Sequence, residues 1–201
     1  MSRALIVIDV QESFRVRPLW AETLNPGVAE PVNRLVDLAR AAGDLVVWVL
    51  HTEPGSGNPF DPATGHVRLF EELSEPLPGE PLLRKTSHNA FTTTNLQQIL
   101  TTHGVRELRI CGIRAEQCVE TTTRVASDLG YDVTFVSDAT TTDPLGRFSA
   151  ADILERTETV LRDRFARIAT VAELESEDQG ESEDKAGTES TAQAEVAAST
   201  A

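Results

Sequence analysis

Apolar residues in this chain fall into short unbroken runs separated by longer amphipathic stretches. Such runs are strands buried on both faces, and the stretches between them are helices that show one face to water. The first run, Ala4-Leu-Ile-Val-Ile-Asp9, predicts a central strand. A helix over 28–42 follows, with Val32, Leu35, Val36 and the Leu38–Ala39 pair turned inward and Gly43 placed to cap it. Asp44 to Leu50 predicts a second strand. From His51 to Pro81 the chain is rich in glycine and proline and reads as a long irregular loop with one short helix near Val67 to Leu73. Pro81 to Arg84 predicts a third strand, and Thr93 to Thr102 a helix capped by Thr92 or Thr93. Val105 to Cys111 is a fourth strand running into Gly112, Val119 to Leu129 a helix, and Tyr131 to Val136 a fifth strand. A helix starting near Leu145 and ending at Arg164 leads to a sixth strand over Phe165 to Thr170. Strands alternating with helices, without hairpin signals, predict an α/β fold: a doubly wound six-stranded parallel sheet with helices on both faces.

Charge divides the chain in two. The formal net charge is −14 over 201 residues, and the segment 175–201 holds eight acids against the single base Lys185. Poor in large apolar side chains, that segment predicts an acidic disordered tail behind one folded domain over 1–174. The acidic balance argues against nucleic-acid or anionic-membrane partners. No apolar run approaches membrane-spanning length, and the first residues lack a signal-peptide layout. Cys111 and Cys118, seven positions apart, do not form a disulfide framework, and a reducing cytoplasm is the expected compartment.

In doubly wound sheets ligands bind at the carboxyl ends of the strands. Asp9, Lys85 and Cys118 are predicted at such ends. The corner from Gly112 to Gln117 puts Cys118 in the first turn of a helix, where unpaired N–H groups and the helix dipole favour thiolate. A free cysteine also packs as a small hydrophobe. Cys111, inside a strand, reads that way; for Cys118 position alone leaves both readings open. Of 18 basic residues 16 are arginine, and Lys85 is the only lysine ahead of the tail. A compact ammonium at that one place marks it for inspection.

Four blocks carry a resemblance: Val7-Ile-Asp9-Val-Gln11-Glu-Ser-Phe14; Leu83-Arg-Lys85-Thr-Ser-His-Asn-Ala-Phe91; Cys111-Gly-Ile-Arg-Ala-Glu-Gln-Cys118-Val119; and Val136-Ser-Asp138-Ala139. In this order they are similar to the isochorismatase-like cysteine hydrolases, the superfamily of nicotinamidases, N-carbamoylsarcosine amidases and related small-amide hydrolases. The resemblance implies the strand order 3-2-1-4-5-6, which makes strands one and four neighbours. It implies a triad in which Cys118 attacks a carbonyl, Asp9 takes the thiol proton and returns it to the leaving amine, and Lys85 holds Asp9 ionised. It further implies an oxyanion hole from the N–H groups of Ala115 and Cys118, a cis peptide at Arg114–Ala115, a small-molecule substrate and a homo-oligomer. Metal-binding relatives carry Asp-x-His after strand two. Here His51-Thr-Glu53 and a later His66 stand in a different order, so no metal and no cofactor are expected.

Pocket candidates follow from position. Phe14, Trp20 and Phe91, with Phe60, line a pocket or pack in the core. His51 contacts substrate or is merely exposed. Gln11 steadies the Asp9 carboxylate or a substrate amide, and Arg114 reads a substrate carboxylate or forms a surface salt bridge.

The leading expectation is a metal-independent cysteine hydrolase that cleaves the C–N bond of a small amide or carbamoyl compound through a thioester. An isochorismatase-type vinyl-ether hydrolase would need the aspartate but no thiol. A catalytically idle binding or assembly protein is the reading from outside the enzymes. Nucleotide-binding and serine-hydrolase readings lack their glycine signatures.

Overall fold

The computed structural model describes residues 2–180. Six parallel strands form one sheet in the order β3-β2-β1-β4-β5-β6. They are β1 (Ser2–Ile8), β2 (Leu45–His51), β3 (Leu82–Lys85), β4 (Val105–Ile113), β5 (Asp132–Thr141) and β6 (Arg167–Ala169). The helices between them are α1 (Glu12–Arg15), α2 (Ala29–Ala42), α3 (Leu96–Thr102), α4 (Glu120–Asp128) and α5 (Ala150–Leu161).

Alternation along the strands sorts the apolar side chains onto two faces. Ala4, Ile6, Ile8, Val47, Val49, Leu108 and Ile110 share one buried cluster with Leu96 and Leu100 of α3, Ala126 of α4 and Leu161 of α5. Leu5, Val7, Val46 and Trp48 point to the opposite face, where α2 packs against β1 and β2 through Val32, Leu35 and Val36. Both faces are therefore covered, which is why β1 reads as a continuous apolar run. Helix α2 stops at Gly43, whose φ of 73° supplies the left-handed cap expected there.

Three of the expected helices differ from those observed. The helix expected from Thr93 begins at Leu96 behind Asn95, so neither Thr92 nor Thr93 caps it. Residues 67–73 form no helix. Leu69 bridges Gln11 in antiparallel fashion, with Glu12 N–H on the Arg68 carbonyl (2.9 Å) and Phe70 N–H on the Val10 carbonyl (3.1 Å). The three-residue spacing of Val67, Phe70 and Leu73, all buried, comes from a coiled segment pressed on the domain. Helix α5 starts at Ala150, later than Leu145, because a turn between Leu145 and Phe148 precedes a capping box made by Ser149 and Asp152.

A last helix runs over 171–180, so residues 175–180 of the segment read as a disordered tail are helical. The remainder of that segment, 181–201, lies outside the described residues. Among the described residues no helix is long and apolar enough to cross a membrane.

Candidate active site

The sheet register brings three strand ends together. Ile8 is level with Val49 of β2 and with Gly112 of β4, and His51 is level with Lys85 of β3. Asp9 leaves β1 in a left-handed conformation (φ 55°) with its N–H on the Val49 carbonyl at 2.8 Å. A non-glycine residue held there is strained, and such strain collects at functional positions. Gly112 allows the close approach of β4. A Cβ at that position would lie 1.9 Å from the Ile8 carbonyl oxygen, so no other residue fits without moving one of the two central strands.

Beyond Gly112 the chain does not enter an α-helix directly. A cis peptide joins Ile113 to Arg114, one residue earlier than the Arg114–Ala115 position implied by the resemblance. A π-helical turn over Ala115–Val119 comes next, with Val119 N–H on the Arg114 carbonyl at 3.2 Å, and α4 begins only at Glu120. Cys118 therefore sits inside the wide turn that precedes the helix.

Lys85 Nζ lies 2.7 Å from Asp9 Oδ2 and 3.3 Å from Cys118 Sγ. It also donates to the Ser87 carbonyl (3.2 Å) and faces His51 Nδ1 at 3.4 Å. Asp9 and Lys85 have no exposed surface and Cys118 only 6%. Burial raises the Asp9 carboxyl above its ordinary value, and the attraction of Lys85 offsets only part of that. Burial also raises the Cys118 thiol, and the Asp9 charge adds to the rise while Lys85 opposes it. Cys118 precedes α4 rather than lying in its first turn, and burial works against the thiolate expected there while Lys85 favours it. One ammonium supports one negative charge on the Asp9–Cys118 pair, and a second ionisation in this dry site is resisted.

Asp9 and Cys118 face a cavity of about 390 Å³ lined also by Phe14, Arg17, His51, Phe60, Arg114 and several loop residues, while Lys85, fully buried, is not part of that lining. Phe14, His51 and Arg114, expected at the pocket, do line it. Phe14 and Phe60 meet edge to face at 5.0 Å. Arg114 is buried and paired with Asp143 at 2.8 Å, so the ion pair it makes is internal rather than superficial.

Other expected residues lie elsewhere. Gln11 is fully buried, outside the cavity lining, and meets Asp9 only through its backbone, whose N–H donates to the Asp9 carbonyl at 2.8 Å; its side chain engages other partners. Its Oε1 accepts the His51 N–H (2.7 Å), while its Nε2 donates to the His51 carbonyl (3.1 Å) and to Ser13 Oγ (2.8 Å). Trp20 packs edge-on to Phe70, and Phe91 stacks on Tyr131 beside the core. His66 lends its carbonyl to Ser13 Oγ and is not among the lining residues. Among the described residues no group of three or more His, Cys, Asp or Glu is arranged to hold a metal ion. Cys111 is fully buried in β4, its thiol directed at the Ile6 carbonyl.

Several wall residues escaped the sequence reading. Glu53, Asn58, Pro59, His88, Arg17 and Gln117 all line the cavity. Glu53 accepts from Asn58 Nδ2 (2.6 Å) and faces His51 Nε2 (3.1 Å); these contacts, that of Asn58 first, hold its carboxyl below the usual range. Arg17 could have been found by its closeness to Phe14, but in a chain that uses arginine nearly everywhere it does not stand out.

Comparison with known proteins agrees with this geometry. The Isochorismatase domain model matches residues 3–173, and the chain belongs to the isochorismatase family. An isochorismatase family protein of Bacillus subtilis, YrdC, is 30% identical over 177 residues, covering 86% of this chain and 94% of its own. A streptothricin hydrolase of Streptomyces noursei is 35% identical over 173 residues, covering 86% of this chain and 61% of its own. The solved structure of an isochorismatase from Pseudomonas putida superposes with a TM-score of 0.78 at 34% identity, covering 85% of this chain and 89% of that one. Similar proteins also include a nicotinamidase of Arabidopsis thaliana and a ureidoacrylate amidohydrolase of Agrobacterium fabrum.

Proposed function

We propose that the protein is a cysteine hydrolase that cleaves the C–N bond of a small amide or carbamoyl compound, without a metal, through a thioester on Cys118. The observation that carries this reading is the single ammonium of Lys85 within reach of both Asp9 Oδ2 (2.7 Å) and Cys118 Sγ (3.3 Å) at an open cavity. Relatives named as an amidohydrolase, a nicotinamidase and a streptothricin hydrolase support it.

The resting site holds Asp9 as carboxylate and Cys118 as thiol. As Sγ bonds to the carbonyl carbon, the thiol proton passes to Asp9, and Lys85 balances the charge throughout. The carbonyl oxygen becomes an oxyanion facing backbone N–H groups of the 114–118 turn, with Ala115 and Cys118 the donors expected. Asp9 then gives its proton to the departing nitrogen as the C–N bond breaks. Water adds to the thioester, losing a proton to Asp9, and the C–S bond breaks as Sγ takes that proton back. A thiol held up by burial suits this cycle, because the nucleophile is unmasked only when the proton has a destination.

The test is ammonia release from nicotinamide, carbamoylated amines and ureido acids. Wild type is expected to turn over at least one of these and Cys118→Ala none. Turnover that survives the substitution refutes the thiol mechanism.

A further inference from the structure

The cavity wall carries two guanidinium groups, and only one of them has a carboxylate of its own. Arg114 is paired with Asp143, yet its Nε is buried with no hydrogen-bond partner. Arg17, half-buried at the mouth, forms no ion pair with any described residue; its guanidinium lies 5.9 Å from the centre of the Phe60 ring. The Arg114 guanidinium lies at the same 5.9 Å from the Phe14 ring. The two charges thus flank an aromatic pair that itself lines the cavity. They are close enough that burial and then the Arg114 charge weaken the hold of Arg17 on its proton; Asp143 and Glu53 attract Arg17 from a distance and offset only part of this, and neither forms an ion pair with it.

Glu53, the remaining carboxylate on the wall, is already engaged by Asn58 and His51. Lys85 and Asp9 neutralise each other at the floor. What the wall lacks is an acceptor for Arg17 and for the Nε edge of Arg114. Burying a cation is costly without a partner, and the planar donor set of a guanidinium matches a carboxylate.

We infer that the substrate carries a carboxylate, held by Arg17 beside Arg114 across the Phe14–Phe60 pair while its amide carbon lies at Cys118. This rests on the hydrolase reading above and names the substrate class of that site. Arg17 is the specificity-determining residue.

Binding and turnover are tested separately. The full chain carrying Cys118→Ala is titrated calorimetrically with N-carbamoylglycine, with neutral propylurea and with cationic 2-aminoethylurea. The carboxylate is expected to bind tightest, by about 10-fold or more over propylurea, as for a charge-assisted hydrogen-bonded pair. Adding Arg17→Ala removes that margin, Arg17→Lys restores part of it, and thermal melting checks that both variants remain folded. Equal affinity for the carboxylate and propylurea, no detectable binding of the carboxylate, or a margin that survives Arg17→Ala overturns the proposal. Tightest binding of the cation also overturns it and assigns recognition to Glu53. Ammonia release by the chain with Cys118 intact keeps the two readings apart. Neutral amides as the best substrates leave the hydrolase and defeat the carboxylate; carboxylate binding without hydrolysis of any amide does the reverse.

Discussion

The floor and the wall of the cavity are built by different means. Asp9, Lys85 and Cys118 stand on or just beyond the ends of three strands, and backbone register fixes their mutual distances. Glu53, Asn58, Pro59 and Phe60 come from a loop that crosses the mouth, and local side-chain bonds hold its shape. Asn58 Oδ1 accepts the Phe60 N–H at 2.7 Å, and Asp61 accepts the N–H groups of Gly57 (2.9 Å) and Ala63 (3.1 Å). A sheet places reacting groups within fractions of an ångström, whereas a self-braced loop changes without disturbing the sheet. The difference fits the proposed division, with chemistry at the floor and choice of substrate at the wall.

The contrast is tested most severely at Cys118, the proposed nucleophile. Cys118→Ala is expected to lower kcat by about 10⁴-fold or more with the fold intact, since no other thiol reaches the cavity and removing a nucleophile from a unit that acts together removes most of its rate. A melting temperature near wild type combined with that loss separates chemistry from structure; a variant that simply unfolds contradicts the separation.

Lys85→Met probes the floor as structure. It leaves Asp9 buried without its cation, and breaking such a pair costs about 3–5 kcal/mol of stability. Urea unfolding reads this directly. A cost below about 1 kcal/mol, the level of an exposed salt bridge, would mean that the pair is not the dry one described.

The pH dependence follows from the raised carboxyl of Asp9. In the proposed mechanism its ionised form is the base, so kcat/KM is expected to rise with pH through an acid limb centred above the ordinary aspartate value of about 3.9. Stability runs the other way. A group whose folded pKa is raised contributes fully below its unfolded value, and that contribution is lost as pH climbs through the folded one. An acid limb at or below the ordinary value, or one that persists in Asp9→Asn with residual activity, removes Asp9 from the role.

The wall should give the smallest effect. Phe60→Ala is expected to raise KM by about 10-fold and to change kcat much less, as for an aromatic surface that binds ground state and transition state alike. A fall in kcat as large as that at Cys118 would erase the distinction between floor and wall.

The same division explains what was legible in the sequence. Strand runs, the α2 cap at Gly43 and the carboxyl-end positions of Asp9, Lys85 and Cys118 are local signals repeated by the sheet, and the structure brings those three residues together. The strand order came only with the family resemblance, because spacing along a chain does not fix which strands are neighbours. The role of Gln11 is hidden in the sequence because, apart from Ser13, the partners of its side chain are 40 positions away, at the N–H and carbonyl of His51. The 67–73 segment was misread because an apolar three-residue rhythm looks the same in a helix and in a coil packed on a core. The wall residues of 53–60 depend on turns whose directions no periodicity records.

Gln11 has one more consequence. Its side chain grips the first residue of the 51–81 segment, and its backbone pairs with Leu69 further along the same segment. Anyone re-engineering this protein therefore inherits two fixed anchor points. Between residues 52 and 66 sequence can be exchanged or lengthened in a library with its ends still moored to the residue two places after Asp9. New substrate tastes can be screened there without rebuilding the machinery beneath.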